Sequence, residues 1–284
     1  VYRERIIKLD WMQDATKEEA VKKIDNMTVK VGYPDQWPSY MDAVRIYAPA
    51  EGGNLIDNVL NLGRITIQDS YERRKEPTDR KKWESADAFT VNAFYMPSEN
   101  AIYFPAGILH SPFYDKEASA EVNLGGIGTV IGHEITHAFD NSGAKYDSKG
   151  NYRNWWTQED LEKFEQLSQR VVEYYNGYEN AGLKMNGKQT LTENIADLGG
   201  VSVITEIART KGFDMKALYK QYAWIWACKY TPDFTKMLML SDTHSPAKIR
   251  VNAVLSSMPE FYEAYGVVPG DGMYKSPEER VSIW

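Results

Sequence analysis

Most of this chain is patterned at the three-to-four spacing of amphipathic helices. It enters such a segment at once. A further stripe of Ala20, Ile24 and Met27 follows Thr16-Lys17-Glu18-Glu19, which reads as a capping box. Gly32-Tyr33-Pro34-Asp35 and Trp37-Pro38 supply the turn chemistry expected to end that helix. Residues 54–74 are patterned as a helix, and the charged stretch Glu72 to Glu84, interrupted by Pro77, as its solvated end and a loop. Thr157 opens a helix with Leu161, Phe164, Leu167, Val171 and Tyr175 on one side. Thr192 is placed to cap a helix running through Ile207, and Met215 to Cys228 predicts another. Ser245-Pro246 supplies a cap and a first-turn proline for a helix from Ala247 to about Ser256. Phe89 to Tyr95 and Ala101 to Phe104 are aromatic and β-branched around Pro97-Ser98-Glu99-Asn100, the pattern of strand, turn and strand. The expected fold class is α+β, predominantly helical with a small sheet. A single domain is expected over residues 1–284, with residues 1–50 as a helical lead-in and no internal boundary.

Composition narrows the function. Hydrophobic residues make up 43% of the chain, enough for a packed core. Its 33 basic and 40 acidic side chains leave a net charge of −7 with no long basic run, which argues against nucleic acid or an anionic membrane as partner. Cys228 is the single cysteine, so no intramolecular disulfide supports the fold; it is expected to be a small buried residue of a helix. No apolar run approaches the roughly 20 residues that span a bilayer. The chain starts at Val1 rather than Met and reads as part of a longer protein, which leaves its compartment open between bacterial cytoplasm and a secreted or cell-surface site.

His133-Glu134-Ile135-Thr136-His137 changes the picture most. On a helix the two imidazoles leave one face a turn apart and are placed to share a zinc ion, with Glu134 positioned to take a proton from water at that ion. The chain has only four histidines, and these two stand among small and apolar residues, Ile127, Val130, Ile131, Ile135 and Ala138. Such a helix is expected to be buried, where polar groups need partners. Catalytic zinc needs a third protein ligand, and Glu193 in Thr192-Glu193-Asn194-Ile195-Ala196-Asp197 is the candidate. Asp197, one turn on, shares its face and is expected to orient a ligand imidazole; Asp140, three residues after His137, is the second such candidate.

His133 to Asp140 followed by Glu193-Asn194-Ile195-Ala196-Asp197 resembles the neprilysin family of zinc metallopeptidases, which includes bacterial oligopeptidases. Val91-Asn92-Ala93-Phe94-Tyr95, Phe104-Pro105-Ala106-Gly107-Ile108-Leu109, Asp242-Thr243-His244-Ser245-Pro246 with Arg250, and the final Trp284 continue the resemblance in the family's order. It implies a gluzincin, thermolysin-like catalytic domain. His133, His137 and Glu193 would bind one zinc ion, and Glu134 would be the general base. Asp140 and Asp197 would orient the histidines, although the family's Asp at 197 is also described as a proton donor. Asn92 and the backbone of Ala93 would hold the substrate main chain, His244 would stabilise the oxyanion, and Arg250 would bond a substrate carbonyl. Ile108, Phe113, Val130, Ile225 and Trp226, with Thr129 at the edge, would form the hydrophobic S1′ pocket.

Val281 and Ala227 stand where animal members have cysteines, so a bacterial-type member held by packing is implied. The chain is also less than half of a full member. The upstream helical domain that restricts relatives to oligopeptides is a missing partner of this one. The expectation is a zinc endopeptidase cutting oligopeptides on the amino side of hydrophobic residues. The alternatives are a non-catalytic peptide-binding relative or another gluzincin peptidase. The second leaves Asn92-Ala93-Phe94-Tyr95 and His244 with Arg250 unexplained.

Overall fold

A computed structural model describes residues 1–83 and 86–284; Glu84, the end of the predicted charged loop, lies outside them. The chain divides into two compact units, Val1–Gly32 with Asp87–Trp284, and Tyr33–Ala86.

The larger unit opens with α1 (Tyr2–Lys8), α2 (Asp14–Asp25) and β1 (Thr28–Gly32). Within residues 1–50 the α-helix ends at Asp25, and β1 follows it. Thr16 lies inside α2 rather than at its cap, and its Oγ1 accepts from the Thr157 backbone N–H at 3.2 Å. The smaller unit contains two short 3₁₀ turns and α3 (Leu55–Arg73), whose Asn54 cap accepts from the Asp57 N–H.

The larger unit resumes with β2 (Phe94–Met96) and β3 (Ala101–Pro105). Its sheet has the order β1-β3-β2, with β1 parallel to β3 from Thr28↔Ala101 to Gly32↔Pro105, and β2 antiparallel from Phe94↔Tyr103 to Met96↔Ala101. β3, paired on both sides, is buried at every position. β1 escaped the sequence reading because its polarity is inverted. Lys30 is buried, with Nζ 2.7 Å from Glu99 and 2.6 Å from the Tyr103 hydroxyl, while Val29 and Val31 are exposed.

The helical remainder comprises α4 (Ala120–Asn123), a π-turn over Leu124–Gly128, α5 (Thr129–His137), α6 (Gln158–Asn176), the β4–β5 ladder (Glu179–Asn180, Leu183–Lys184) and α7 (Leu191–Lys211). Then come α8 (Met215–Ile225), α9 (Pro232–Ser241), α10 (Ala247–Leu255) and α11 (Pro259–Tyr265). Thr157 caps α6 as expected, accepting from the Asp160 N–H. Two other hydroxyls expected at caps make tertiary bonds instead: Thr192 Oγ1 donates to Asn141 Oδ1 and Ser245 Oγ to Asn194 Oδ1. Cys228 lies past the end of α8 and is exposed, not buried in a helix. No described helix is long and apolar enough to cross a membrane.

Two features place the site. Gly132 of α5 faces Gly200 of α7: a Cβ on Gly132 would sit 2.9 Å from the Gly200 Cα, and one on Gly200 2.7 Å from the His133 nitrogen. Only glycines allow this approach, which brings the acidic start of α7 beside the two histidines. Behind α5, Phe139 packs edge-on against Trp284, which stacks on Phe164 at 5.7 Å; Trp156 extends the stack.

Candidate metal centre

His133 and His137 leave one face of α5, and their Nε2 atoms come within 2.9 Å of each other. Each Nδ1 donates to a carboxylate, His133 to Asp197 Oδ1 at 2.8 Å and His137 to Asp140 Oδ2 at 2.6 Å. Asp140 is fixed in turn by the Ser142 and Gly143 N–H groups, both at 2.7 Å on Oδ1. With each Nδ1 held by a carboxylate, the two Nε2 atoms turn toward each other. Glu193 Oε2 faces the same point, 3.3 Å from His133 Nε2 and 3.6 Å from His137 Nε2.

Two ring nitrogens and a carboxylate gathered at this spacing call for a positive charge between them. Ligand atoms of the three residues all fall within 4.8 Å of one another. Among the described residues, Oε2 of Glu193 and Oε2 of Glu134 are buried without a directed hydrogen bond. Buried polar atoms without partners are uncommon, and a cation bound among these ligand atoms would supply the missing one. Two imidazole nitrogens and one carboxylate, with both Nδ1 atoms held by carboxylates, suit zinc.

Electrostatics agree with this demand for positive charge. Burial lowers the proton affinity of His133, but Asp197 and Glu193 outweigh it and bring its pKa up to about 10. Burial works against ionising Glu193, yet the nearby His133 and His244 hold its carboxyl well below the usual range. Asp197, also opposed by burial, is drawn down to about 2 by Arg250 and His133. Glu134 goes the other way: burial raises its pKa, only partly countered by the two histidines.

The structure places the remaining candidates in four groups. His244 reaches Glu193 Oε2 with Nε2 at 3.1 Å, and Asp242 Oδ1 holds its Nδ1 and backbone N–H at 2.8 and 2.9 Å. Arg250 is buried on α10, with Nε 2.7 Å from Asp197 Oδ2 and Nη2 2.6 Å from Oδ1, its guanidinium 3.8 Å above the Trp226 ring. Two of its three nitrogens are therefore committed to Asp197. Asn92 is exposed and Ala93 buried immediately before β2, an end strand of the sheet. Ile108, Thr129, Val130 and Ile225 are buried, while Phe113 and Trp226 keep part of their surface. The Thr129 hydroxyl is occupied by the Gly125 carbonyl at 2.9 Å.

Sequence reasoning assigned no separate role to Asp242 or Asn194. The spacing Asp242-Thr243-His244 is the local turn in which an aspartate accepts from the N–H two residues on, a signal that could have found Asp242. Asn194 accepts from Ser245 Oγ at 2.6 Å and donates to Thr190 Oγ1, tying the His244 loop to α7. No local pattern carries that long-range pairing.

A model of peptidase family M13 matches residues 92–281, and a second with the same description matches residues 1–34. The neutral endopeptidase of Lactococcus lactis subsp. lactis is 40% identical over 285 residues, covering 100% of this chain and 45% of its own length. The crystal structure of PepO from Lactobacillus rhamnosis superposes with a TM-score of 0.92 at 38% identity, over 100% of this chain and 45% of that one. The zinc metalloprotease Zmp1 of Mycobacterium tuberculosis, in complex with inhibitor, gives a TM-score of 0.87 at 35% identity and the same coverage, 100% and 45%. This chain thus spans less than half the length of these relatives. With a mostly helical fold, a small sheet and a His133, His137 and Glu193 cluster, the chain belongs to peptidase family M13, the neprilysin family of zinc metallopeptidases.

Proposed function

We propose that the protein containing this chain is a zinc-dependent endopeptidase that hydrolyses oligopeptides on the amino side of hydrophobic residues. The observation that carries this reading is the convergence of His133, His137 and Glu193 beside the unpartnered carboxylate oxygen of Glu134. When bound, zinc polarises the scissile carbonyl and acidifies water.

The chain's own residues do the rest. Asp140 and Asp197 keep the imidazole protons on Nδ1, so that both Nε2 lone pairs face the metal position. Glu134, with a pKa raised by burial, removes a proton from the attacking water and hands it to the leaving amine. His244 Nε2 donates to the oxyanion. A peptide laid along β2 would bond the outer edge of that strand through Asn92 and the Ala93 backbone. Arg250 would offer its third nitrogen to a substrate carbonyl while Asp197 holds the other two. Ionised Asp197 serves orientation rather than proton donation, since its low pKa leaves no proton to give at neutral pH. Phe113 and Trp226 would line the S1′ entrance over Ile108, Thr129, Val130 and Ile225.

Glu134→Gln tests the mechanism in the full-length protein. Zinc content should be retained, while cleavage of a quenched peptide with Leu or Phe at P1′ should fall by roughly 10²–10⁴-fold. Wild-type turnover in this variant would contradict the assignment. Zinc binding without chelator-sensitive cleavage by the unmodified protein would favour a peptide-binding role instead.

A further inference from the structure

Lys23, on α2, is completely buried beneath the end of the metal helix. Its Nζ donates to three backbone carbonyls, Ala138 and Gly143 at 2.7 Å each and Tyr146 at 2.6 Å. The rings of Tyr95, Phe139 and Trp155 surround it at 5.7 to 5.8 Å. An ammonium has three donors, and each one is used.

The three acceptors are not scattered. Ala138 directly follows His137, and Gly143 and Tyr146 lie on the turn that returns beneath the helix. Between them stands Asp140, which receives the Nδ1 proton of His137 and is held by the Ser142 and Gly143 N–H groups. Lys23 therefore gathers both sides of the turn that carries the orienting carboxylate. Burial lowers the Lys23 pKa to about 7, and the acidic groups that face it, Asp140 and Asp147, offset that penalty only in part.

We propose that Lys23 is a positioning residue for the metal centre, acting on His137 through the Ala138–Tyr146 turn and Asp140. The inference rests on the zinc reading of His133, His137 and Glu193. An apolar residue of similar length would fill the space but leave three buried carbonyls without their donor. The turn would then shift, and Asp140 would no longer fix the His137 ring.

The test is zinc affinity of the full-length protein by chelator competition, with the melting temperature of the zinc-free form measured alongside. Lys23→Met should weaken zinc binding by about 10–100-fold, the range for lost orienting partners. Asp140→Asn should give a comparable loss, and the double variant should be no weaker than Asp140→Asn alone, because both act through one path. Lys30→Met is the control. It removes another buried lysine, bonded to Glu99 and Tyr103, and should lower the melting temperature without changing zinc affinity.

Wild-type zinc affinity in Lys23→Met would overturn the proposal, as would fully multiplicative losses in the double variant. If Lys23→Met does not fold, Lys23→Gln keeps two donors and should show an intermediate affinity; wild-type affinity there would overturn it equally. A parent protein that binds zinc no better than His133→Ala would overturn the metal reading itself. The two failures are thus separable.

Discussion

Helices α3 and α7 are nearly equal in length, 19 and 21 residues, and opposite in surroundings. α7 buries twelve of its residues, and α3 buries none. Yet α3 is not polar: Leu55, Ile56, Val59, Leu60 and Ile67 are all exposed. What holds each helix differs accordingly. α3 relies on devices close in sequence: the Asn54 cap at 2.9 Å, the Asp69–Arg73 pair at 2.8 Å, and bonds between the Asn58 and Asn61 side chains and the backbone of Tyr47 and Arg45. α7 has no side-chain cap bond and draws its order from tertiary packing. Chemistry that needs fixed distances sits on the second kind of helix, where neighbours on several sides set every rotamer.

The largest expected effect follows from removing one such neighbour. Arg250→Met would leave Asp197 as a buried carboxylate without its guanidinium, a change that costs about 3–5 kcal/mol when half of a buried pair is lost. Denaturant unfolding of the variant should show that loss, with weaker zinc binding because Asp197 also orients His133. Stability within 1 kcal/mol of wild type would mean that Asp197 finds another partner and that α7 is less tightly determined than its burial implies.

Gly200→Ala comes next. The added methyl would meet the His133 nitrogen at 2.7 Å, closer than real Cβ contacts come, and both groups lie on helix backbone that cannot swing aside. Overpacking of this kind costs about 1–3 kcal/mol, and the α5–α7 separation it forces would draw Glu193 away from the histidines. A melting curve and a zinc measurement on the same sample check both consequences. Full zinc binding with unchanged stability would show that the close approach is not required.

Legibility in the sequence follows the same division between local and long-range causes. His133 and His137 were readable because four residues on any helix set their geometry. Glu193 with Asp197 was readable for the same reason. Thr157 and Asn54 are hydroxyl and amide caps whose bonds close within three residues, and both helices begin where the pattern places them. Thr16, Thr192 and Ser245 have the same local chemistry, but each forms its bond with a residue more than 50 positions away. Nothing local distinguishes the two cases. β1 was missed because a lysine faces inward and valines outward, a choice made by Glu99 and Tyr103 on another part of the chain. Arg250 illustrates the limit at the site: its position was identified, but its bidentate hold on Asp197 was not, since the pairing exists only once α7 and α10 meet.

Two smaller predictions concern α3. Asn54→Ala should cost the helix about 1 kcal/mol, the usual loss at an N-cap. Faster amide exchange confined to the first turns of α3 would report it, with the zinc site unaffected. Global destabilisation, or a changed zinc affinity, would show that α3 is supported by more than its local devices.

The last prediction reverses the sign of the second. Gly63 lies in the interior of α3 as Gly200 lies in the interior of α7, but a Cβ at Gly63 meets nothing within 4 Å. A helical glycine with open space around it is only an entropic burden, because the unfolded chain loses more freedom there than with alanine. Gly63→Ala should therefore stabilise α3 by about 0.5–1 kcal/mol, where Gly200→Ala destabilises α7. Amide exchange in the middle of α3 should slow by a matching factor. A loss of stability from Gly63→Ala would mean that the α3 face is covered after all, and the contrast between the two helices would then fail.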